Sequence, residues 1–185
     1  PDLLAGHLGQ DRHVAEGRAD KVAIRTTGRD VAYAELVGNV NRFGNALFKL
    51  GIGRGERLLM VVKDCPEFFF LFWGAIKAGV IPVPLNTMLR AKDFDYIIQD
   101  SECAGLVYSL EFGAEVEAAF ARCSWRPRVF LPMEGGDQAL TSRARDASPE
   151  LQAVPACATE DCFWLYSSGT TGLPKGVVHA HGDIV

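Results

Sequence analysis

Short apolar runs alternate with amphipathic helical patterns along the middle of this chain, and this order constrains the fold more than any other feature. The predicted strands cover residues 58–62, 80–83, 106–108 and 128–131. The predicted helices between them cover residues 66–79, 91–99 and 111–122. Strands that alternate with helices at this spacing are typical of βαβ units, in which neighbouring strands are parallel. The sequence therefore predicts the α/β class, with a mostly parallel sheet flanked by helices.

The segments on either side of this alternation add three predictions. Residues 22–25 and 31–33 are β-type runs around a turn, which favours a hairpin. From Leu36 the apolar residues recur at spacings of three and four, which predicts an amphipathic helix that ends at Gly51. Loops around one short helix are predicted for residues 132–160. Residues 162–166 are all apolar and predict a core strand that is covered on both faces.

Charge and hydropathy exclude two kinds of partner. The chain has 19 Lys and Arg against 23 Asp and Glu, a net charge of −4, so no positive field attracts nucleic acid. The most apolar stretch, residues 68–85, is interrupted by Lys77, Gly79 and two prolines. It is also shorter than the roughly 20 apolar residues of a membrane span. We therefore predict neither a nucleic acid nor a membrane as partner.

The five cysteines indicate a reducing environment. Their odd number and irregular spacing do not form a disulfide framework, and the sequence contains no C-x-x-C pair. We therefore predict buried, unreactive thiols in a cytoplasmic protein. On a strand, His179 and His181 would share one face as a metal pair would, but the sequence offers no third ligand beside them. We predict no metal-binding residue in this chain.

A segment rich in hydroxyls and glycines follows the last predicted strand. Residues 167–176 contain four hydroxyl side chains, three glycines and one lysine. Glycine lets backbone N–H groups approach an anion, hydroxyls donate to phosphate oxygens, and lysine adds a positive charge. An ordinary surface turn has the same composition, so composition alone leaves both readings open. A Walker-type P-loop is excluded, because only two residues separate Gly169 from Gly172 and a glycine follows Lys175.

The same segment resembles the signature loop of the adenylate-forming enzymes, a superfamily of acyl-coenzyme A synthetases, luciferases and peptide-synthetase adenylation domains. The match is full over residues 168–176, and residues 31–36 and 74–86 resemble earlier blocks of that family. Residues 163–169 and 179–181 are most similar to benzoate– and 4-hydroxybenzoate–coenzyme A ligases, with other aryl acid and short-chain fatty acid ligases as close alternatives. The resemblance implies that residues 1–185 are the N-terminal portion of the large ATP-binding domain, truncated just after the phosphate loop. The mobile C-terminal domain would then be absent from this chain.

The resemblance also implies a reaction and its substrates. An ATP-dependent acid–thiol ligase of this kind activates a carboxylate as an acyl-adenylate and transfers it to coenzyme A. The implied partners are a small carboxylic acid, with benzoate or another aromatic acid expected, and ATP and coenzyme A. Mg²⁺ is expected to have its ligand residue outside this chain, and a homodimer is allowed. No catalytic residue is expected within residues 1–185, which alone would be inactive. A peptide-synthetase adenylation domain and a short, non-catalytic phosphate-binding or interaction protein remain as alternatives.

Finally, the resemblance implies roles for the residues of the loop. The hydroxyls of Ser168, Thr170 and Thr171 would bind β- and γ-phosphate oxygens, and Lys175 would neutralise their charge. Pro174 and Gly176 would serve as the scaffold of the loop. The full predicted ATP phosphate-binding set is Ser167, Ser168, Gly169, Thr170, Thr171, Gly172 and Lys175.

Overall fold

From residue 22 to residue 168 the helices and strands follow one another in the order that the sequence pattern predicts. The computed structural model describes residues 10–168 and 172–184. Its strands are β1 (Val22–Arg25), β2 (Asp30–Ala32), β3 (Arg57–Val61), β4 (Ile81–Pro84), β5 (Gly105–Tyr108), β6 (Val129–Pro132), β7 (Asp161–Ser168) and β8 (Pro174–Ala180). Its helices are α1 (Gln10–Ala15), α2 (Tyr33–Lys49), α3 (Pro66–Lys77), α4 (Ala91–Ser101), α5 (Gly113–Arg122) and α6 (Leu140–Arg145). Short 3-10 helices cover Leu110–Phe112 and His181–Ile184.

A four-stranded parallel sheet forms the centre of the fold and confirms the predicted α/β class. Its strand order is β4–β3–β5–β6, and each neighbouring pair is parallel. Side chains of β3 alternate between the two faces, so that Leu58 joins one apolar cluster and Leu59 joins the other. Helices α2 and α3 pack on the first face, while α4 and α5 pack on the second. This alternation is why β3 is apolar at consecutive positions.

Helices α2 and α3 cross closely because glycines lie at their contact. A Cβ added to Gly74 would lie 2.7 Å from the carbonyl oxygen of Val40 on α2. A Cβ added to Gly44 would lie 2.8 Å from the carbonyl oxygen of Gly74. Real Cβ atoms do not approach other atoms this closely, so the crossing requires residues without side chains. This close packing fixes the layer of helices over one face of the sheet.

Strand β7 differs from the prediction made for it. It pairs antiparallel with β8, with Phe163 opposite His179 and Leu165 opposite Val177. Leu165 is 40% exposed and Val177 is 45% exposed, so the prediction of a strand covered on both faces is wrong for the described part of the chain. Its apolar pattern indicated burial on both faces, but Leu165 remains exposed while Trp164 and Tyr166 pack against the second apolar cluster.

The cysteines also differ in part from the prediction. All five are free, and Cys103, Cys123 and Cys162 are buried. Cys65 is half-buried and Cys157 is exposed, so the prediction of buried thiols is wrong for Cys157. Cys157 lies in the segment 155–160, which has no helix or strand in the structure, and its neighbours Ala158 and Thr159 are exposed as well. Within the residues that the structure describes, no helix is long and apolar enough to cross a membrane.

Candidate functional site

A pocket of about 400 Å³ lies between the connection that follows β4 and the connection that joins β7 to β8. The residues that line it are Asn86, Leu89, Asp93, Tyr166, Ser167, Gly172 and Pro174. Strand β7 lies beside β4 and runs in the same direction. At the start of the two strands, Ile81 and Asp161 line another pocket, and at their ends Asn86 and Ser167 line the pocket described here. The pocket therefore lies at the carboxyl edge of the strands, which is where open α/β sheets bind their ligands.

The stem of the predicted phosphate loop forms one wall of this pocket. Strands β7 and β8 remain paired up to Ser168 and Pro174, which places Ser167 directly opposite Lys175. Of the predicted residues, Ser167, Gly172 and Pro174 line the pocket, and Lys175 is exposed on β8. The predicted residues Gly169, Thr170 and Thr171, and the side chain of Ser168, lie outside the described part of the structure.

Gly172 has a backbone conformation that explains why glycine occupies this position. Its φ angle is +92°, in the left-handed region that L-residues with a Cβ rarely adopt. A Cβ at this position would meet no other atom within 4 Å, so space is not the constraint. The backbone conformation alone therefore favours glycine in this part of the loop.

Tyr166 connects the loop stem to the rest of the fold, although the sequence did not identify it as a site residue. Its hydroxyl donates a hydrogen bond of 2.6 Å to Oδ2 of Asp100, near the end of α4. Burial, and then the hydrogen bond to the Asp100 carboxylate, raises the pKa of Tyr166 well above its ordinary value. A Cβ added to Gly176 would lie 3.3 Å from the Tyr166 ring, so the glycine leaves room for that ring.

The second wall of the pocket comes from residues that follow β4. Oδ1 of Asn86 accepts a hydrogen bond of 2.9 Å from the N–H of Met88, which forms a tight turn. Oδ2 of Asp93 accepts one of 3.2 Å from the N–H of Arg90 and so caps the start of α4. Leu89 adds the apolar part of this wall. Sequence reasoning missed these residues, although their position just after a predicted parallel strand was a usable signal.

The two histidines near the end of the chain lie on different elements. His179 is on β8 and stacks on Phe163 with ring centroids 4.5 Å apart, whereas His181 is buried in the last 3-10 helix. Burial lowers the pKa of His181, which favours its neutral form. No group of three or more His, Cys, Asp or Glu side chains that could hold a metal ion occurs among residues 10–168 and 172–184.

This fold, with a parallel sheet and helices on both of its faces, is shared with solved structures of coenzyme A ligases. The chain belongs to the AMP-binding enzyme family, which matches residues 11–185. The resemblance inferred from the loop sequence is thereby confirmed at the level of the family.

Three relatives illustrate the match. The chain is 39% identical over 175 residues to the 4-hydroxybenzoate–CoA/benzoate–CoA ligase of Rhodopseudomonas palustris, an alignment that covers 94% of this chain and 32% of the relative. The benzoate CoA ligase structure from Burkholderia xenovorans LB400 aligns with a TM-score of 0.85 and 28% identity over 98% of this chain and 35% of that one. An anthranilate CoA ligase, AuaEII, crystallised with anthranoyl-AMP, aligns with a TM-score of 0.86 and 30% identity, covering 93% and 33% of the two chains. This chain thus spans about a third of the length of these relatives.

Proposed function

We propose that the protein containing this chain activates a carboxylic acid with ATP and transfers the acyl group to coenzyme A. Residues 1–185 would form the N-terminal portion of its large ATP-binding domain. The observation that carries this proposal is the position of the hairpin loop, whose residues Ser167 and Gly172 line a pocket at the carboxyl edge of the strands. Membership of the AMP-binding enzyme family and the names of the relatives support the same reaction.

The proposed reaction has two steps, and the loop acts in the first. A carboxylate oxygen attacks the α-phosphorus of ATP, and pyrophosphate leaves with the electrons of the broken P–O bond. The thiol sulfur of coenzyme A then attacks the acyl carbonyl, loses its proton, and displaces AMP to give a thioester. The first step requires two anions to be brought together and the charge of the departing pyrophosphate to be stabilised. A loop with hydroxyls, backbone amides and one lysine suits that requirement.

Each residue of the loop has a proposed part in this step. Donation to β- and γ-phosphate oxygens is assigned to the hydroxyls of Ser167, Ser168, Thr170 and Thr171, and charge neutralisation is assigned to Lys175. Gly169 and Gly172 let the backbone approach the phosphates, and Gly172 already adopts the left-handed conformation that such an approach uses. Pro174 and Gly176 belong to the paired stem that supports the loop.

Mg²⁺ is proposed to enter with ATP as the usual counterion of its phosphates. The described residues hold no group of three or more His, Cys, Asp or Glu side chains suited to a metal ion. No step of the reaction is assigned to a metal held by this chain. The ligand residue is proposed to lie outside residues 1–185.

An aromatic acid is the proposed substrate. The support comes from the relatives, whose names specify benzoate and 4-hydroxybenzoate for one and anthranilate for another. Benzoate and its hydroxylated derivatives are therefore the first acids to test. Fatty acids and crotonobetaine are useful comparison substrates, because other relatives that are 32% to 34% identical are named for them.

Acid-dependent exchange of radioactive pyrophosphate into ATP tests the first step, and thioester formation with coenzyme A tests the second. The full-length protein should exchange pyrophosphate with benzoate or a hydroxybenzoate, and should form the thioester when coenzyme A is added. Residues 1–185 alone should support neither reaction. A full-length protein that exchanges no pyrophosphate with any acid of the panel would contradict the proposed function, and exchange with fatty acids alone would contradict the proposed acid.

A further inference from the structure

We propose that Tyr166 is a positioning residue for the phosphate loop, which it fixes to the body of the domain through Asp100. This inference rests on the proposed function, because the loop must bind phosphate for its position to matter. Tyr166 directly precedes Ser167 at the end of β7, and it lines the same pocket as Gly172. Any restraint on its side chain therefore acts close to the loop.

The carboxylate to which Tyr166 is bound is exposed, but it belongs to a helix that is packed firmly in the core. The acceptor is Oδ2 of Asp100, 2.6 Å from the tyrosine hydroxyl and 66 residues away in sequence. Asp100 lies in the last turn of α4, whose residues Phe94, Ile97 and Ile98 are fully buried against the parallel sheet. A hydrogen bond to a charged acceptor is stronger than one between neutral groups. The hydroxyl thus connects the loop stem to one of the best-packed helices.

The ring of Tyr166 also contacts the second strand of the stem. Gly176 on β8 is the backbone partner of Tyr166 in the hairpin. The ring lies so close to this glycine that an added Cβ would be 3.3 Å from ring carbon Cζ. One side chain therefore restrains both strands just below the point where the loop begins, and the hydroxyl then fixes that unit to α4.

Other contacts hold the hairpin at positions farther from the loop. Phe163 packs edge-on against Phe72 of α3 with ring centroids 5.6 Å apart, and the guanidinium of Arg57 lies 5.7 Å from the centroid of the Trp164 ring. A two-stranded hairpin is marginally stable on its own and needs such packing to keep its position. Without the Tyr166 hydroxyl, the loop end of the stem would move relative to the pocket wall formed by Asn86. ATP would then bind to a less preorganised loop, at a higher entropic cost.

Replacing Tyr166 with Phe tests this inference, because the variant keeps the ring over Gly176 and removes the hydrogen-bond donor. A matched control exists on the same carboxylate: the hydroxyl of Tyr96 donates to Oδ1 of Asp100 at 3.3 Å. Both residues of that bond lie on α4, so it does not join the helix to the hairpin. In pyrophosphate exchange by the full-length enzyme, Tyr166→Phe should raise the KM for ATP by about five- to tenfold. The KM for the acid should change by less than about twofold, and Tyr96→Phe should change neither.

Variants of the acceptor test whether the two residues act as a pair. Asp100→Ala should raise the KM for ATP as Tyr166→Phe does, and combining the two changes should add little more. Asp100→Asn keeps an acceptor oxygen and should restore most of the wild-type KM. Hydrogen exchange of the backbone amides gives a second measurement that needs no activity. The amides of Lys175 and Gly176 should exchange faster in Tyr166→Phe, while those within α4 should not.

The outcomes separate this inference from the proposed function. Wild-type exchange activity together with an unchanged KM for ATP in Tyr166→Phe would overturn the positioning role alone. Equal effects of Tyr166→Phe and Tyr96→Phe, or an equal rise in the KM for ATP and for the acid, would also overturn it. A wild-type enzyme that exchanges no pyrophosphate would overturn the proposed function and, with it, the assignment of Tyr166 to a phosphate loop.

Discussion

Replacing Gly172 with Ala tests the loop with a change of a single methyl group. The φ angle of Gly172 is +92°, and an added Cβ would contact nothing within 4 Å. The substitution therefore introduces backbone strain without a steric clash. An L-residue in the left-handed region costs about 1–2 kcal/mol, which lowers the population of this conformation by about 5- to 30-fold. Because we assign that conformation to phosphate binding, the KM for ATP should rise by a similar factor.

Gly51 provides a matched control for this change. Its φ angle is +79°, and an added Cβ would likewise meet nothing within 4 Å. It lies at the end of α2, away from the loop pocket, so Gly51→Ala carries a comparable strain at a different place. We expect this variant to lower the melting temperature and to leave the KM for ATP unchanged.

The assay is pyrophosphate exchange by the full-length protein at varied ATP and saturating acid, with melting temperatures measured in parallel. We expect a raised KM for ATP in Gly172→Ala and a normal KM in Gly51→Ala. A wild-type KM for ATP in Gly172→Ala would show that the left-handed conformation of Gly172 is not used in phosphate binding. The same rise in both variants would also contradict that role, since strain anywhere in the fold would then have that effect.

Three further predictions concern charge, packing and thiol reactivity. Lys175→Ala should slow pyrophosphate exchange by about 10²- to 10³-fold. As a control, replacing the exposed Lys21 with Ala should leave the exchange rate unchanged. An exchange rate of Lys175→Ala within a few-fold of wild type would contradict the proposed role of Lys175. Gly74→Ala should lower the melting temperature, because its Cβ would lie 2.7 Å from a carbonyl oxygen of α2, while Gly38→Ala on the open face of α2 should raise stability by about 0.5–1 kcal/mol. Within residues 1–185, alkylation followed by mass spectrometry should label Cys157 first, because it is exposed while burial raises the pKa of the other four thiols. Labelling of a buried cysteine before Cys157 would contradict the packing described above.

Local periodicity was sufficient to predict the parallel sheet. The apolar run 58–62 predicts β3 because both faces of that strand are covered, as the alternation of Leu58 and Leu59 between two clusters shows. Strand β8 was not predicted, since Pro174 and Gly176 are typical of loops and hide the pairing with β7. Helix α1 was not predicted either, because its six residues are too few to show a clear apolar stripe.

The candidate site could be predicted only in its local part. The glycine and hydroxyl composition of residues 167–176 indicates an anion-binding loop, because those properties belong to the residues themselves. The wall formed by Asn86 and the tether from Tyr166 to Asp100 depend on contacts between distant segments. No spacing within the sequence brings residues 66 positions apart together, so the three-dimensional structure was needed to find them.

A crystal structure of the full-length protein with a non-hydrolysable ATP analogue would show whether the hairpin loop binds the triphosphate of ATP. We expect β- and γ-phosphate oxygens within hydrogen-bonding distance of the amides and hydroxyls of residues 167–172, with the Lys175 ammonium beside them. Triphosphate density at another place, with the loop side chains directed into solvent, would show that this loop does not bind the nucleotide.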